Sequence, residues 1–239
     1  MKKYLTILII IIAFSLFSCY KETLYNGLEK ILFVYNNIEN DRSNNITVYT
    51  INIKGKDLKK IFNVKTTAPP YNSDIITNQE TIELIEKNKE KVKFLFTKPL
   101  RCFSGNFCAY SNYLDSYDVV AGGEVYKGVY LYDLEKEEEI KIDNKIPDII
   151  PSLFSKDGNL YITSLSFSYD GNYLFFVSIN GNLYVYSILS NEVNKLIGSS
   201  EEIFGLRKVD RVGNLLYFIL GDTESSLYEF NIITGEKNI

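Results

Sequence analysis

Residues 163–197 read TSLSFSYDGNYLFFVSINGNLYVYSILSNEVNKLI, four short strand-like runs separated by three turns. Leu165 and Phe167 alternate with serines, which is the period of two typical of a strand. The turns contain Asp170-Gly171-Asn172 and the NGN of residues 180–182, residue types that tolerate the positive φ of tight hairpins. Residues 173–177 are apolar or aromatic on both faces, so we expect this strand to be covered on both sides. The stretch therefore predicts a four-stranded antiparallel sheet stacked between two similar sheets.

The third strand of this unit recurs along the chain. Four segments align without gaps: ITVYTI (46–51), VYLYDL (129–134), LYVYSI (183–188) and LYEFNI (227–232). Their fourth positions are separated by 83, 54 and 44 residues. The last spacing matches one propeller blade of roughly 40 to 45 residues, and the first is close to two blades or to one blade with an insertion. The sequence thus predicts an all-β fold, a β-propeller of about four to five four-stranded antiparallel blades.

Two segments carry a turn that is specific enough to indicate a family. SLFSKDGNLYI (152–162) and LSFSYDGNYLFFVS (165–178) both place Ser-x-Asp-Gly-Asn before an apolar strand, and the second is followed by LYVYS. This pattern resembles the repeats of TolB-like, WD40-like β-propellers, and the resemblance covers about residue 27 to the C-terminus. It implies a propeller fold and a role as an interaction scaffold in envelope complexes.

The N-terminus predicts export and lipid attachment. Two lysines precede an apolar run from Leu5 to Phe17, which is too short to span a bilayer comfortably and has the layout of a signal peptide. LFSC (16–19) resembles a bacterial lipobox in which Cys19 is lipidated. The alternatives are an ordinary signal peptide or an N-terminal anchor with an incidental cysteine. We therefore divide the chain into a lipoprotein signal peptide (1–18), a tether (19–27) and a β-propeller domain (28–239).

One segment interrupts the strand pattern. Thr77-Asn78-Gln79-Glu80 has the form of a capping box and predicts a short helical insertion near residues 78–89. Ile82 and Ile85 share one face of this helix. We expect a decoration packed on the rim of the propeller; the alternative is a docking element for a partner.

The two internal cysteines flank a predicted hairpin turn. In a three-residue loop over Ser104-Gly105-Asn106, Cys102 would face Cys108 at a separation that makes a disulfide feasible. The alternative is two small buried thiols. Two cysteines without a third ligand are too few for a metal site, and isolated Asp-Gly turns at Asp157 and Asp170 lack the oxygen ligands that calcium takes.

Composition excludes several functions. The chain has 239 residues, 46 % hydrophobic and 14 % aromatic, which suits a folded β domain. It contains no histidine, which excludes Ser-His-Asp and Cys-His catalysis and histidine-ligated zinc. Removal of residues 1–18, with Lys2 and Lys3, leaves 24 basic residues against 30 acidic ones, an acidic balance that disfavours nucleic-acid binding. No pair of carboxylates stands out, and we predict no catalytic residue, no cofactor and no metal.

These observations favour a non-enzymatic, lipid-anchored envelope β-propeller that acts as a protein–protein interaction scaffold. The expected partners are envelope proteins, with the membrane reached through the lipid anchor. The expected location faces the periplasm or the exterior, at the outer membrane rather than the inner one. One alternative is a sugar- or peptide-binding propeller module; another is a propeller enzyme that uses paired carboxylates.

Ring closure is the remaining expectation. The first repeat lacks a clear first strand, and the last ends at a stub of its fourth strand. We expect a small ring in which a strand near residues 20–28 joins the last blade; the alternative is an open series of sheets with exposed edges.

Overall fold

The computed structural model describes residues 29–40, 43–66, 75–98, 100–113, 126–142, 145–146, 161–178, 182–197, 208–220, 226–231, 233–234 and 236–238. Their strands form four antiparallel four-stranded units in chain order, with a helical segment between the first two. This confirms the predicted all-β class of four-stranded antiparallel sheets with one short helical insertion. Among the described helices, none is both long and apolar enough to cross a membrane. Residues 1–28, including the predicted signal peptide, Cys19 and the tether, lie outside the described residues.

The strands fall into four four-stranded units, here called sheets 1 to 4; sheets 2 and 3 are continuous through a short pairing and together form one eight-stranded sheet. Sheet 1 contains β1 (Lys30–Asn40), β2 (Ser43–Asn52), β3 (Lys59–Thr66) and β4 (Ile75–Ile76). Sheet 2 contains β5 (Leu100–Ser104), β6 (Phe107–Tyr113), β7 (Tyr126–Asp133) and β8 (Glu138–Lys141). Sheet 3 contains β9 (Tyr161–Phe167), β10 (Tyr173–Ser178), β11 (Leu183–Ser187) and β12 (Glu192–Ile197). Sheet 4 contains β13 (Lys208–Val212), β14 (Leu215–Leu220), β15 (Ser226–Asn231) and β16 (Lys237–Asn238).

Sheet 3 is the unit predicted from residues 163–197. Its four strands pair in chain order, and β10 is buried along almost its whole length, as its continuous apolar run predicts. The β9–β10 turn is closed by the Asp170 carboxylate, which accepts hydrogen bonds from the Ser168 hydroxyl at 2.6 Å and the Asn172 amide at 3.1 Å. Gly171 in this turn has φ +72°, which glycine adopts without the steric cost borne by other residues.

Sheet 1 is completed by the strand that comes last in its own part of the sequence. The strand order is β3-β2-β1-β4, so β4 pairs with β1. The two residues of β4 therefore hold the place that the first strand holds in the other sheets, which is β5, β9 or β13. The Gln79 side chain extends this short edge: its Oε1 accepts from the Lys30 amide at 3.1 Å, and its Nε2 donates to the Lys30 carbonyl at 2.7 Å. The first strand that the sequence pattern lacks is therefore supplied by residues 75–76 and one side chain.

The sheets stack face to face through three apolar clusters. The first joins sheet 1 to sheet 2 and includes Ile46 and Tyr132, the second joins sheet 2 to sheet 3, and the third joins sheet 3 to sheet 4. Sheets 2 and 3 are also joined by backbone pairing of β7 with β9 at Tyr126–Ile162 and Lys127–Tyr161. Strand β9 contacts both β5 and β13, so the first strands of successive sheets lie next to each other, as in a propeller.

The helical insertion lies within the core rather than on the rim. It consists of α1 (Gln79–Lys87), α2 (Lys89–Val92) and a 3-10 helix (Lys93–Thr97). Its buried side chains enter the apolar cluster between sheets 1 and 2: Ile82, Ile85, Val92, Leu95 and Phe96. The expected rim decoration is therefore wrong, because the apolar face of the insertion continues beyond the first helix and is covered on both sides. The N-cap is Asn78, one residue beyond the predicted Thr77, and its side chain accepts from the Thr81 amide at 2.9 Å.

The first and last sheets are not joined by an apolar cluster within the described ranges. The fourth place in sheet 4 is taken by β16, which pairs with β15 at Glu229–Asn238 and Phe230–Lys237. This short strand is the predicted stub. The proposed closing strand near residues 20–28 lies outside the described residues.

Candidate interaction surface

Lys98 forms a half-buried contact with aromatic side chains at the end of the 3-10 helix. Its ammonium donates to Asn112 Oδ1 at 2.6 Å and lies 5.2 Å from the centre of the Tyr110 ring. The Phe94 ring centre lies 5.8 Å from the same nitrogen, so the charge rests over two aromatic faces. Burial lowers the pKa of Lys98, an effect that the nearby Glu139 carboxylate opposes.

Tyr110 links this group to the outer strand of sheet 2. Its hydroxyl donates to the Glu139 carboxylate, and its ring stacks on Tyr130 with centroids 5.3 Å apart. Burial and the hydrogen bond to Glu139 raise the pKa of Tyr110 far above its ordinary value. The phenol is therefore neutral at physiological pH and acts as a donor.

Arg101 binds backbone carbonyl groups at the end of the 3-10 helix. Its buried guanidinium donates to the carbonyl groups of Phe96 and Lys98, and it lies 5.4 Å from the centre of the Phe96 ring. Lys98, Tyr110 and Arg101 are thus each bonded to neighbouring groups of the insertion or sheet 2. The arrangement holds the insertion against the sheet.

The two cysteines predicted to form a disulfide lie on opposite faces of sheet 2. The β5–β6 hairpin pairs Cys102 with Ala109 and Phe103 with Cys108, so its loop has two residues instead of the expected three. Cys108 is buried in the cluster shared with sheet 1, whereas Cys102 packs against the cluster shared with sheet 3. The prediction that these cysteines face each other is wrong, because a one-residue change of register moves a side chain to the other face.

Each sheet presents two of its turns at one common edge, because antiparallel strands reverse direction at every turn. In sheets 2 to 4 these are the turns between first and second strands and between third and fourth strands. Three large apolar side chains lie in turns at this end of sheets 3 and 4, which is here called the turn edge. Tyr169 is 77 % exposed, Leu189 95 % and Ile233 71 %.

The turns that carry these side chains are braced by hydrogen bonds. Tyr169 lies within the turn closed by Asp170, and Ile188 donates its amide to the Asn172 carbonyl at 3.0 Å, which ties the two turns of sheet 3 together. The Leu189 turn is held by Asn191, whose side chain accepts from the Tyr186 hydroxyl at 2.7 Å.

The turn of sheet 4 is closed in a similar way. Asn231 Oδ1 accepts from the amides of Ile233 at 2.9 Å and Thr234 at 3.2 Å. The exposed apolar groups of the turn edge are therefore presented on preorganised backbones, which lowers the entropy cost of binding.

The sequence pattern does not reveal this turn edge. It places Leu189 in the strand LYVYSIL, but β11 ends at Ser187 and Leu189 lies in the turn that follows. A signal is nevertheless present: Leu189 directly follows Ile188, which breaks the alternating pattern, and the polar residues Ser190 and Asn191 come next. No group of three or more potential metal-ligating side chains occurs in the part of the chain that the structure describes.

No protein-family model matches the chain, and no curated protein matches it. Among solved structures, it is similar to an oligogalacturonate lyase in complex with manganese, at 12 % identity and a TM-score of 0.43, over 88 % of this chain and 49 % of that one. It is also similar to Sqt1 of Saccharomyces cerevisiae, at 12 % identity and a TM-score of 0.42, over 87 % of this chain and 61 % of that one. A third similarity, to a chain of the mitotic checkpoint complex, has 14 % identity and a TM-score of 0.38, over 58 % of this chain and 35 % of that one. The chain spans less than two thirds of each of these structures.

Proposed function

We propose that this chain is a non-enzymatic propeller-type scaffold that binds an envelope protein through its turn edge. The observation that carries the proposal is the set of three exposed apolar side chains on braced turns: Tyr169, Leu189 and Ile233. Large apolar groups concentrated on one surface and framed by polar turns are typical of protein contacts. We expect the partner to present an apolar surface, because that complements the three exposed apolar side chains.

A photo-crosslinking amino acid at position 189 tests the surface directly. The matched control is position 195, because Lys195 is also exposed in sheet 3 but lies on strand β12 away from the turns. We expect discrete crosslinked products from position 189 in intact cells, weakened at least tenfold by Tyr169→Ser with Ile233→Asp. Identical products from both positions would show that the turn edge has no partner.

The membrane part of the proposal rests on the N-terminal sequence. We propose that Cys19 carries lipid and holds the scaffold at an envelope membrane, because two or more acyl chains give stable anchoring whereas one gives only marginal binding. Cys19→Ala is expected to release the processed protein into the soluble fraction or to leave the precursor uncleaved. A cleaved Cys19→Ala protein that still sediments with membranes would contradict lipid anchoring without affecting the turn-edge proposal.

A further inference from the structure

Each sheet has a forward face, directed toward the next sheet in the chain, and a backward face, directed toward the preceding one. The third strands show this most clearly. Their first and third positions lie on the forward face, as in Ile46 and Val48, and their second and fourth positions lie on the backward face, as in Tyr130 and Tyr132. The same rule holds at the next two contacts, with Val129 and Leu131 packed against sheet 3, and Leu183 and Val185 packed against sheet 4.

No apolar cluster of the described residues covers the forward face of sheet 4. Leu227 is the equivalent of Ile46, Val129 and Leu183, each of which is fully buried, yet Leu227 is 60 % exposed. The next equivalent position holds Glu229 instead of a buried aliphatic residue.

Sheet 1 presents the complementary backward face. Phe33 stacks on Tyr49 at 5.5 Å between ring centroids, and Tyr35 on the same face is 40 % exposed. Tyr49 is the equivalent of Tyr132, Tyr186 and Phe230, which are buried against a preceding sheet. Lys60 and Lys65 add positive charge from β3, and both are exposed. The charges of this face are thus opposite to that of Glu229.

We infer that the forward face of sheet 4 binds the backward face of sheet 1 in a second copy of this chain. Such a contact continues the interface that already joins each sheet to the next. Tyr35, Tyr110 and Phe176 are equivalent, because each pairs with the second position of a third strand. In the first two contacts within the chain, the residue equivalent to Tyr35 shares an apolar cluster with the residue equivalent to Leu227. These pairs are Tyr110 with Ile46 and Phe176 with Val129.

The size of the faces supports a two-copy ring. With strands about 4.8 Å apart and about 3.3 Å per residue, a face of four strands and six residues covers roughly 400 Å². A stable interface buries about 1,600 Å² in total. One contact between two such faces falls short of this area, whereas a ring of two copies makes the contact twice and reaches it.

Charge substitutions on the two faces test the inference. We use the full chain in detergent and measure its mass by native mass spectrometry at tens of micromolar. Tyr35→Glu places a carboxylate opposite Glu229, and Leu227→Lys places an ammonium opposite Lys60 and Lys65, so each single variant is expected to weaken the dimer at least tenfold. In the double variant the new carboxylate and the new ammonium face each other across each contact. Because they attract each other, this variant is expected to recover the dimer.

Two controls separate this contact from dimerisation through the turn edge and from loss of the fold. Leu189→Lys adds a charge on the turn edge and is expected to leave the dimer intact; loss of the dimer in that variant would assign the contact to the turn edge. Circular dichroism shows whether each single variant is folded. A monomeric wild type, assemblies larger than two copies, or folded single variants that remain dimeric would each overturn the inference. None of these outcomes depends on whether the turn edge has a partner.

Discussion

At the scale of single residues, glycine conformations decide how closely neighbouring groups approach. Gly128 and Gly55 both have φ +72°. A Cβ on Gly128 would lie 2.9 Å from Cε2 of Tyr130, whereas a Cβ on Gly55 would have no heavy atom within 4 Å. A comparison of alanine substitutions at the two positions therefore separates the free-energy cost of the backbone conformation from the cost of a steric clash.

We predict that Gly128→Ala destabilises the fold more than Gly55→Ala. The left-handed conformation alone costs roughly 1 to 2 kcal/mol for a residue with a Cβ. Displacement of the Tyr130 ring from its stack on Tyr110 adds about 1 to 3 kcal/mol, as overpacking does. Urea unfolding of both variants measures the difference. Equal losses would mean that the Tyr130 ring moves aside without cost.

Tyr110 is expected to make stability depend on alkaline pH. Because its pKa is raised in the folded protein, the folded state holds the phenol proton more tightly than the unfolded state does. This contribution is complete below about pH 10 and is lost as the pH rises above that value.

Tyr110→Phe should therefore make the free energy of unfolding fall less steeply with pH between about 9 and 11, by up to about 1.4 kcal/mol per pH unit. Urea unfolding at several pH values measures the slope. Tyr169→Phe, at the exposed turn, controls for the loss of one tyrosine. A Tyr110→Phe slope equal to that of wild type would show that the phenol is neither buried nor bonded to Glu139 in solution as it is in the structure.

The cysteines show where prediction from sequence stops at this scale. A two-residue loop and a three-residue loop fit the same letters, SGN, but they place Cys102 and Cys108 on opposite faces or on the same face. With the observed register, we expect both residues to remain thiols. Alkylation of unfolded protein without reductant should modify both, and a peptide pair bridged through residues 102 and 108 would disprove the register.

At the scale of elements, α1 is joined to sheet 1 by side chains rather than by strand pairing. Glu86 accepts from Lys30 Nζ at 2.9 Å and from the Thr50 hydroxyl at 3.3 Å. Burial acts to raise the pKa of Glu86, but the hydrogen bond and the charges of Lys30 and Lys59 outweigh it, and the pKa is lowered. This contribution is present above about pH 4.3 and is lost as the pH falls below it.

Gln79 supplies the second attachment of the helix. We predict that Gln79→Ala costs about 1 to 3 kcal/mol, because the amide and carbonyl of Lys30 both lose a partner. Glu83→Ala, at an exposed position of the same helix, is the matched control. Thermal unfolding of the two variants makes the comparison, and a Gln79→Ala protein as stable as the control would show that water replaces the amide.

The sequence predicts the position of an element where burial makes apolar residues recur with a regular period. It does not predict the position where burial produces no such period. All four third strands lie where their shared pattern places them. Alternating residues of β7 and β11 enter two different apolar clusters, whereas β2 and β15 each contribute one set of alternating residues to a single cluster. The pattern of KFLF (93–96) predicts the opening of the second repeat, but this segment forms most of the 3-10 helix. Phe94 and Phe96 alternate as in a strand, and only the packed structure shows that they follow a helix in the core.

At the scale of the whole molecule, protection of the backbone should follow the stacking of the sheets. Sheet 3 has neighbours on both faces, and Phe175 and Phe176 on adjacent positions of β10 are fully buried toward opposite sides. We predict that amides of β10 and β11 exchange with solvent most slowly and those of β14 and β15 faster, because the forward face of sheet 4 is exposed. Hydrogen-exchange mass spectrometry resolves the order. Slower exchange in β14 and β15 than in β10 and β11 would contradict it.

The sequence predicts that successive sheets stack, but it does not predict whether the first and last sheets meet. The four copies of the third strand predict about four to five blades, and the described residues form four four-stranded units in chain order. Ring closure depends on how far each sheet is rotated from the last, a quantity set by side-chain volumes at three contacts rather than by any single motif. The exposed side chains of the turn edge escape prediction for a similar reason, since exposure is a property of the assembled surface.

The completion of sheet 1 by β4 has a mechanical consequence. Each of the four described sheets is built from one continuous length of chain, so no strand of one sheet is locked inside another. Under tension applied between Lys30 and Asn238, the terminal sheets can peel away one after another and give separate force peaks. Sheets 2 and 3, which share the backbone pairing of β7 with β9, should be the last to separate. A protein held at one point and pulled at another would then lengthen in steps and keep its middle intact.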